Sequence, residues 1–441
     1  MMDKRKWTIT VGECRLKNEE NKSPFVLVHT DKTEYTGLIM NLFREWRIYM
    51  KFTYQHTIYS CFIGYIVQAV VNNFVPLLFL TFHRSYDIPL SQITLLITIN
   101  FCVQLLVDLL SVSFVDKIQY RTSMIIAHFT AAAGLILLAF LPELLPSPFP
   151  GLMIAVMIYA IGGGLLEVLV SPIVEACPTD NKETAMSMLH SFYCWGQVGV
   201  VLLSTLFFHF VGIGHWKILA ILWAVIPLAN IFLCANVPMT SLIKEGEKGL
   251  SLAGLLAQKG FWLFMLMMLC AGASEMAVSQ WASTLAENAL HVSKTLGDLM
   301  GPMTFAILMG SARAFYGKKG DSINLDTFML LSSILCTASY LTIALIPCAA
   351  TGLIGCALTG LSIGIFWPGT FSKGSAAIPK GGASMFALFA LAGDLGCSVG
   401  PGIAGMAASI FGDNLRIGIL CACIFPLLML TAILTDMKRS K

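Results

Sequence analysis

The stretches SMLHSFYCWGQVG (187–199) and SMFALFALAGDLG (384–396) repeat one pattern at two places in the chain. One serine, one methionine, one phenylalanine and two glycines coincide, as the pairs Ser187/Ser384, Met188/Met385, Phe192/Phe389, Gly196/Gly393 and Gly199/Gly396. The short basic stretches VDKIQYR (115–121) and AFYGKK (314–319) recur at a similar offset. An internal repeat of this length indicates two structurally equivalent halves.

The composition around this repeat is that of a membrane protein. The chain has 441 residues, of which 56% are hydrophobic and 12% charged, and its mean hydropathy is +0.77. A soluble domain carries about 25% charged residues. Apolar stretches of about 20 residues can cross the bilayer as helices, whereas barrel strands would alternate apolar and polar residues over about ten positions. The predicted spans are 54–82, 92–114, 122–142, 151–175, 185–211, 214–236, 259–287, 295–315, 327–347, 351–372, 383–410 and 415–435.

The fold class predicted is therefore all-α: a polytopic membrane protein whose 12 transmembrane helices form two parallel six-helix pseudo-repeats. Such halves are typical of transporters that bind their substrate at the bilayer midplane between them. The predicted domains are a polar N-terminal arm (1–50), a first bundle (51–236), a cytoplasmic linker (237–258) and a second bundle (259–441). Two interpretations of the arm stay open: a disordered or interfacial cytoplasmic segment, or a stretch that precedes a translation start at Met50.

The basic residues predict the orientation. With the N-terminus inside, all but four of the 28 Lys and Arg residues fall on the cytoplasmic side, the exceptions being Arg84, Lys217, Lys294 and Arg416. Cytoplasmic loops are enriched in Lys and Arg, so we expect a multi-pass protein of the cell membrane with both termini in the cytoplasm. In this assignment Arg313 lies on the cytoplasmic side, at the terminus of the span predicted at 295–315. The net charge of +3 follows from the same loops and implies no nucleic-acid partner.

Motifs for catalysis and for metal binding are not found in the sequence. SARAFYGKKG has Ala312 where a phosphate-binding loop needs its first glycine, and LAGDLG has Leu391 where an aspartyl protease needs Gly. The 13 cysteines show no metal-binding or redox spacing. We expect no enzymatic activity, no cofactor and no metal. The expected partners are a small-molecule substrate and the lipid bilayer, and one chain with both halves is expected to work as a monomer.

Four acids lie well inside the predicted spans: Asp108, Glu167, Glu275 and Asp394. A carboxylate at the centre of a membrane helix costs at least about 2.5 kcal/mol. Since no Lys or Arg is predicted in the spans except at helix termini, the neutral form is favoured and each group can exchange a proton when water reaches it. We predict that these acids couple transport to protons, although Na⁺ would satisfy the electrostatics equally well. The alternative role is that of protonated acids that fix helix packing.

Amides and aromatic residues on the polar helix faces are the predicted substrate contacts. They are Gln68, Asn72, Asn73, Tyr193, Gln197, Gln280, Trp281 and Trp367. Amides hydrogen-bond and rings stack, as a sugar or polyol requires in an otherwise apolar cavity. Anchoring at the membrane interface is the alternative role for the tryptophans, and His190 is expected at a helix terminus.

The two basic loops resemble a motif of the major facilitator superfamily. That motif has a Gly, an acid four residues on, a base next, a second Gly, and then basic residues. The first copy keeps Asp116, Lys117 and Arg121 but has Val112 and Gln119 at the glycine positions. The second copy keeps Gly310, Gly317, Lys318 and Lys319 but has Ala314 in place of the acid. The resemblance implies a charged latch between cytoplasmic helix ends. Simple anchoring by positive charge is the alternative.

Within that superfamily, Glu167 and Pro172 in IGGGLLEVLVSPIVEACP (161–178) are similar to the fucose-permease branch, and Glu275 resembles an acid in its seventh span. A second acid of that branch is replaced here by Asn72 or Asn73. The resemblance implies proton-coupled symport of a sugar-like solute by alternating access. The alternatives are an efflux antiporter for drugs or metabolites and a non-transporting membrane sensor. The Gly-xxx-Gly-Pro pattern that drug antiporters carry in span 5 occurs here in span 11, as GCSVGPGIAG, which weighs against efflux.

Overall fold

The computed structural model describes residues 15–16, 25–26, 52–88, 90–114, 119–242, 249–280, 282, 294–412 and 414–439. The chain divides into two compact units, Met1–Phe52 and Thr53–Lys441. In the first unit, Arg15–Leu16 pairs with Phe25–Val26 as a two-residue antiparallel ladder. The second unit contains the helical bundle, and the following paragraphs concern this unit.

The first half of the bundle contains six helical spans. They are span 1 (Tyr54–Asn73, a 3₁₀ turn at Val75–Leu78, then Phe79–Tyr86), span 2 (Leu90–Phe114), span 3 (Tyr120–Leu144), span 4 (Pro148–Ala176), span 5 (Lys182–Phe210) and span 6 (Trp216–Asn236, after a 3₁₀ turn at Ile213–His215).

The second half follows a short helix, Leu252–Leu256. Its spans are span 7 (Lys259–Ser279), span 8 (Lys294–Lys319, then a 3₁₀ turn at Gly320–Ser322), span 9 (Leu325–Leu345), span 10 (Ala349–Ile363 and Phe366–Ala377), span 11 (Gly382–Ile410) and span 12 (Leu415–Ala422 and Ile424–Arg439).

Each predicted span overlaps one of these helical segments, so the all-α transmembrane prediction is confirmed. Within the described residues, ten segments are long and apolar enough to cross a bilayer, and Thr98–Val112 in span 2 is a shorter apolar helix. Spans 1, 10 and 12, predicted as continuous, are interrupted. Each interruption lies close to a proline (Pro76, Pro368 and Pro426), which supplies no backbone N–H to the helix.

Asparagine side chains start three of the spans. The side-chain oxygens of Asn181, Asn324 and Asn414 accept hydrogen bonds from the backbone N–H groups of Thr184, Thr327 and Arg416. Asparagine is among the preferred N-cap residues because its side chain replaces the carbonyl partner that the first turn lacks. Spans 5, 9 and 12 therefore begin at defined positions.

Spans 7 and 11 approach each other closely through glycine. A Cβ atom added to Gly272 would lie 2.1 Å from the carbonyl oxygen of Gly393, and one added to Gly396 would lie 2.1 Å from that of Leu269. Small residues at membrane helix interfaces allow such backbone contact. The contact brings together Glu275, about one turn after Gly272, and Asp394, which follows Gly393.

The two halves contact each other at the end of the bundle where spans 5 and 11 begin and spans 2 and 8 end, here called the closed end. Several hydrogen bonds between described residues cross between the halves there. Four of them join span 2 to span 11 once, and span 5 to span 8 or the turn after it three times. The pairs are Ser384 Oγ to Val112 O (2.9 Å), Ser187 Oγ to Arg313 O (2.8 Å), Asn181 Nδ2 to Asp321 Oδ1 (2.8 Å) and Tyr316 OH to Glu183 Oε2 (2.9 Å).

Candidate functional site

A cavity of about 740 Å³ lies between the two halves. Its described lining comes from spans 1, 2, 4 and 5 of the first half and spans 7, 8, 10 and 11 of the second. On span 11 the lining runs from Asp394 to Gly402, away from the closed end. Three carboxyl groups, those of Glu167, Glu275 and Asp394, face this space.

Glu167 lies on span 4 beside an amide of span 1. Its Oε2 accepts a hydrogen bond of 2.7 Å from Gln68 Nε2. The glycines before Glu167 let span 4 pack closely on span 2, since a Cβ added to Gly164 would lie 3.1 Å from Gln104 Cα. The three glycines therefore allow close packing of span 4, and this packing places Glu167 at the cavity wall.

Asn72 is the centre of an amide cluster. Its Oδ1 accepts hydrogen bonds from Asn100 Nδ2 at 3.0 Å and Gln104 Nε2 at 2.7 Å, and its Nδ2 donates to Tyr193 OH at 3.4 Å. This cluster joins spans 1, 2 and 5. Asn73 differs, because its side chain donates back to the carbonyl of Ala69 in the same helix at 2.9 Å.

Asp108 is fully buried behind the cavity wall, on span 2, close to Asp394 of span 11. Neither oxygen of Asp108 accepts a bond from an N–H or O–H group of the described residues. Asp108 on the first half and Asp394 on the second thus lie near each other, with no donor among the described residues to stabilise a charge on Asp108.

Glu275 has a counterion, contrary to the expectation that the acids within the spans lack one. Arg313 Nη2 lies 3.6 Å from Glu275 Oε2, and the Arg313 side chain is only 4% exposed. Its predicted position at a helix terminus is wrong, because the helix of span 8 continues to Lys319, beyond the predicted end at 315. Arg313 therefore lies more than one turn inside the helix.

A proline explains how the buried guanidinium is held. Arg313 Nε donates to Gly364 O at 2.9 Å. In a helix that carbonyl would accept from the N–H four residues later, but this position is Pro368, which has none. The break in span 10 thus leaves an acceptor for a donor from span 8.

The position of His190 also differs from the predicted one, which was a helix terminus. It lies two turns into span 5 and lines the cavity. Its Nε2 is 3.3 Å from Tyr65 OH and 3.4 Å from Ser171 Oγ, and those two hydroxyls are 3.2 Å apart. Its ring packs on Phe371 of span 10, with centroids 5.6 Å apart. These contacts join spans 1, 4, 5 and 10 at the side of the cavity nearest the closed end.

The structure places the described members of the predicted substrate set along one cavity. Those that line it are Gln68, Asn72, Asn73, Tyr193, Gln197, Gln280 and Trp367. Trp281 lies outside the described residues. The sequence did not identify Arg313 as a lining residue. It also did not reveal apolar lining residues such as Phe305 and Met309, because residues of these types occur equally at lipid-facing positions.

The predicted loop motif is only partly described. Asp116 and Lys117 lie outside the described residues. Arg121 donates to the backbone carbonyls of Cys234, Ala235 and Val237, where span 6 ends. Gly317 packs against span 5, since an added Cβ would lie 3.0 Å from Met188, whereas Lys318 and Lys319 are exposed. Among the described residues no group of three or more His, Cys, Asp or Glu is placed to hold a metal ion.

Solved transporter structures share this fold. FucP, the E. coli fucose:proton symporter, in its outward conformation has a TM-score of 0.74 and 15% identity, covering 87% of this chain and 99% of FucP. The proton:xylose symporter XylE, bound to 6-bromo-6-deoxy-D-glucose, has a TM-score of 0.71 and 13% identity, covering 87% and 95%. At these identities the similarity concerns the fold.

A sequence relative and a family model complete the comparison. Membrane protein MosC of Rhizobium meliloti is 23% identical over 278 residues, which span 61% of this chain and 66% of MosC. The family model of the Major Facilitator Superfamily matches residues 60–401, well over half of the chain. The superfamily resemblance deduced from the two loops is thereby confirmed: this multi-pass membrane protein belongs to the Major Facilitator Superfamily of transporters.

Proposed function

We propose that the protein is a proton-coupled symporter that moves a small, neutral, sugar-like solute across the cell membrane by alternating access. The proposal rests on one observation: a cavity between the two halves carries three carboxyl groups, and the halves are in contact at one end of it. In the proposed orientation the closed end faces the cytoplasm, as do both termini, and the cavity is reached from outside.

The charges of the cavity favour a neutral solute over an anion. Three carboxyl groups of the described lining face the space, and the one guanidinium in that described lining, that of Arg313, is already paired with Glu275. An anionic solute would meet repulsion from Glu167 and Asp394 with no free cation among the described lining residues to offset it.

The polar groups of the site favour a solute rich in hydroxyls. Gln68 lines the cavity, and its Oε1 is an acceptor without a hydrogen-bond partner among the described residues. A buried acceptor left unpaired costs about 1–3 kcal/mol, so a hydroxyl donor at this position would bind favourably. Tyr193 and Trp367 offer aromatic faces on opposite halves of the cavity. Its volume of about 740 Å³ lies within the range of about 300–1,000 Å³ typical of small-molecule sites.

Glu167 is the acid that we assign to proton coupling. It lies on the cavity wall, and the described residues provide an amide donor but no cation as its hydrogen-bond partner. Proton binding neutralises the Glu167 carboxylate, whose charge is costly in the apolar bundle. The free-energy cost of enclosing the site during the conformational change is therefore lower for the protonated carrier. This is the step that would link proton movement to solute movement.

Transport into sealed vesicles tests the assignment. Under an inward proton gradient the wild-type protein should accumulate solute, up to about tenfold for each pH unit in a one-to-one symport. Glu167→Gln should abolish this accumulation while solute counterflow persists, since exchange of bound solute needs no proton release. Glu143→Gln is the control, because Glu143 pairs with Lys217 at an exposed position away from the cavity.

Four results would contradict the proposal. Gradient-driven uptake that persists in Glu167→Gln would remove this residue from the coupling step. Equal accumulation after the proton gradient is collapsed would show that transport is not coupled to protons. Accumulation that depends on a sodium gradient would show that Na⁺ is the coupling ion instead. Solute binding without passage would identify a sensor. Because the solute is to be identified first, a thermal-shift screen of sugars, polyols, nucleosides and organic acids should show stabilisation by the hydroxyl-rich compounds, since ligands that bind the folded state raise Tm.

A further inference from the structure

Arg313 lies on span 8, but several of its polar contacts are with span 5 of the other half. Its Nη1 donates to His190 O at 3.2 Å and to Cys194 Sγ at 3.1 Å. Its backbone carbonyl accepts a hydrogen bond of 2.8 Å from Ser187 Oγ. One residue therefore provides three of the contacts that hold spans 5 and 8 together near the closed end.

The counterion of this guanidinium is reachable from the cavity, although the guanidinium itself is almost enclosed. The side chain of Glu275, on span 7, is 17% exposed, against 4% for that of Arg313. Glu275 also lies beside the indole of Trp367, a predicted substrate contact. A proton or a solute hydroxyl can thus reach one member of the ion pair directly from the cavity.

Neutralising Glu275 would leave a buried guanidinium without its counterion. A buried charge that loses its partner strongly destabilises the arrangement that encloses it. Separation of spans 5 and 8 at the closed end admits water to Arg313 and so relieves this penalty. The contacts to His190 and Cys194 are then lost together with the closure.

We propose that Glu275 and Arg313 form a clamp, in which Arg313 is a positioning residue that holds span 5 against span 8 for as long as Glu275 is ionised and free of solute. Protonation of Glu275, or its engagement by a solute, releases the clamp and opens the closed end. The inference deepens the proposed function by assigning the link between the cavity and the opening step to this pair.

Other ionisable groups face the pair from four neighbouring spans and contribute to any pH dependence. They are Tyr65 on span 1, Glu167 on span 4, His190, Tyr193 and Cys194 on span 5, and Asp394 and Cys397 on span 11. Within the described residues Arg313 is the cation among them, and Glu275 is the acid that pairs with it. The substitutions below therefore separate the contribution of the pair from that of the other groups.

Hydrogen exchange of backbone amides, measured by mass spectrometry on the full-length protein, tests the clamp without any solute. In Glu275→Gln, which imitates the protonated acid, amides near the start of span 5 and the end of span 8 should lose at least about tenfold in protection. In the wild type the same amides should lose protection as the pH falls, after correction for intrinsic exchange rates. In Glu275→Gln this pH dependence should shrink to the part that the other ionisable groups contribute, and an unchanged pH dependence would count against the clamp. Glu143→Gln should behave as wild type in both respects.

The double variant Glu275→Gln/Arg313→Gln separates a clamp from a purely structural role. Removing both charges leaves no unpaired guanidinium, so protection at these amides should recover towards the wild-type level. Wild-type protection in Glu275→Gln would overturn the inference, as would a double variant that is as open as the single one. The hydrogen-exchange readout involves neither solute nor a proton gradient. The clamp can therefore be refuted while the proposal of proton-coupled transport stands, and that proposal can be refuted while the clamp stands.

Discussion

The Gly272→Ala substitution tests whether the close approach of spans 7 and 11 holds the cavity in shape. The added Cβ would lie 2.1 Å from the carbonyl oxygen of Gly393, and real Cβ contacts below 3.0 Å essentially never occur. The two backbones must therefore separate by about 0.9 Å, because the opposing atom belongs to a backbone and not to a flexible side chain. Overpacking of this kind costs about 1–3 kcal/mol.

We expect the apparent Tm to fall by about 2–12 °C, since each kcal/mol corresponds to about 2–4 °C for a unit of 150–250 residues. Unfolding in detergent can be followed with a thiol-reactive fluorophore, because Cys270 and Cys336 are fully buried in the native bundle. Gly405→Ala is the matched control on span 11, where an added Cβ meets nothing within 4 Å. Equal Tm values for Gly272→Ala and the wild type would refute the close-packing argument.

Two further predictions concern the cavity and the amide cluster. Cys397 lines the cavity, so a membrane-impermeant maleimide should label it from outside, whereas the buried Cys270 should stay unlabelled. A bound solute should slow the labelling of Cys397. Equal labelling rates with and without solute, measured by mass spectrometry, would contradict this placement. Asn72→Leu should lower the free energy of unfolding by about 1–3 kcal/mol, because Asn100 and Gln104 lose their shared acceptor, and an unchanged denaturation midpoint would argue against the cluster.

The spans and the inward-facing acids could be predicted from sequence because the bilayer imposes both. Backbone groups in hydrocarbon must bond within a helix, so about 20 apolar residues suffice to identify a span. Carboxyl groups such as those of Glu167 and Asp394 are too costly to face lipid, which directs them towards the interior. The loop motif indicated the superfamily although each copy lacks part of the pattern.

The ion pair of Glu275 could not be predicted, because it depends on contacts between distant helices. Arg313 lies near the end of span 8, where a basic residue normally anchors a helix at the membrane surface. What draws it inside is a carbonyl of span 10 that has lost its helical partner to Pro368. Pro368 is a signal for a free acceptor, but the sequence does not say which helix supplies the donor.

Four of the hydrogen bonds that cross between the halves at the closed end, those donated by Ser384, Ser187, Asn181 and Tyr316, also bear on leakage. At about 1 kcal/mol each, these four bonds alone favour this arrangement by about 4 kcal/mol, which corresponds to roughly one molecule in a thousand in the opposite orientation when no contact formed there offsets them. A carrier without solute would then seldom change from one orientation to the other. Leakage of the ion gradient through the empty carrier therefore stays slow without any dedicated plug. A cargo that speeds the turnover must supply this free energy through tighter binding to the rare orientation.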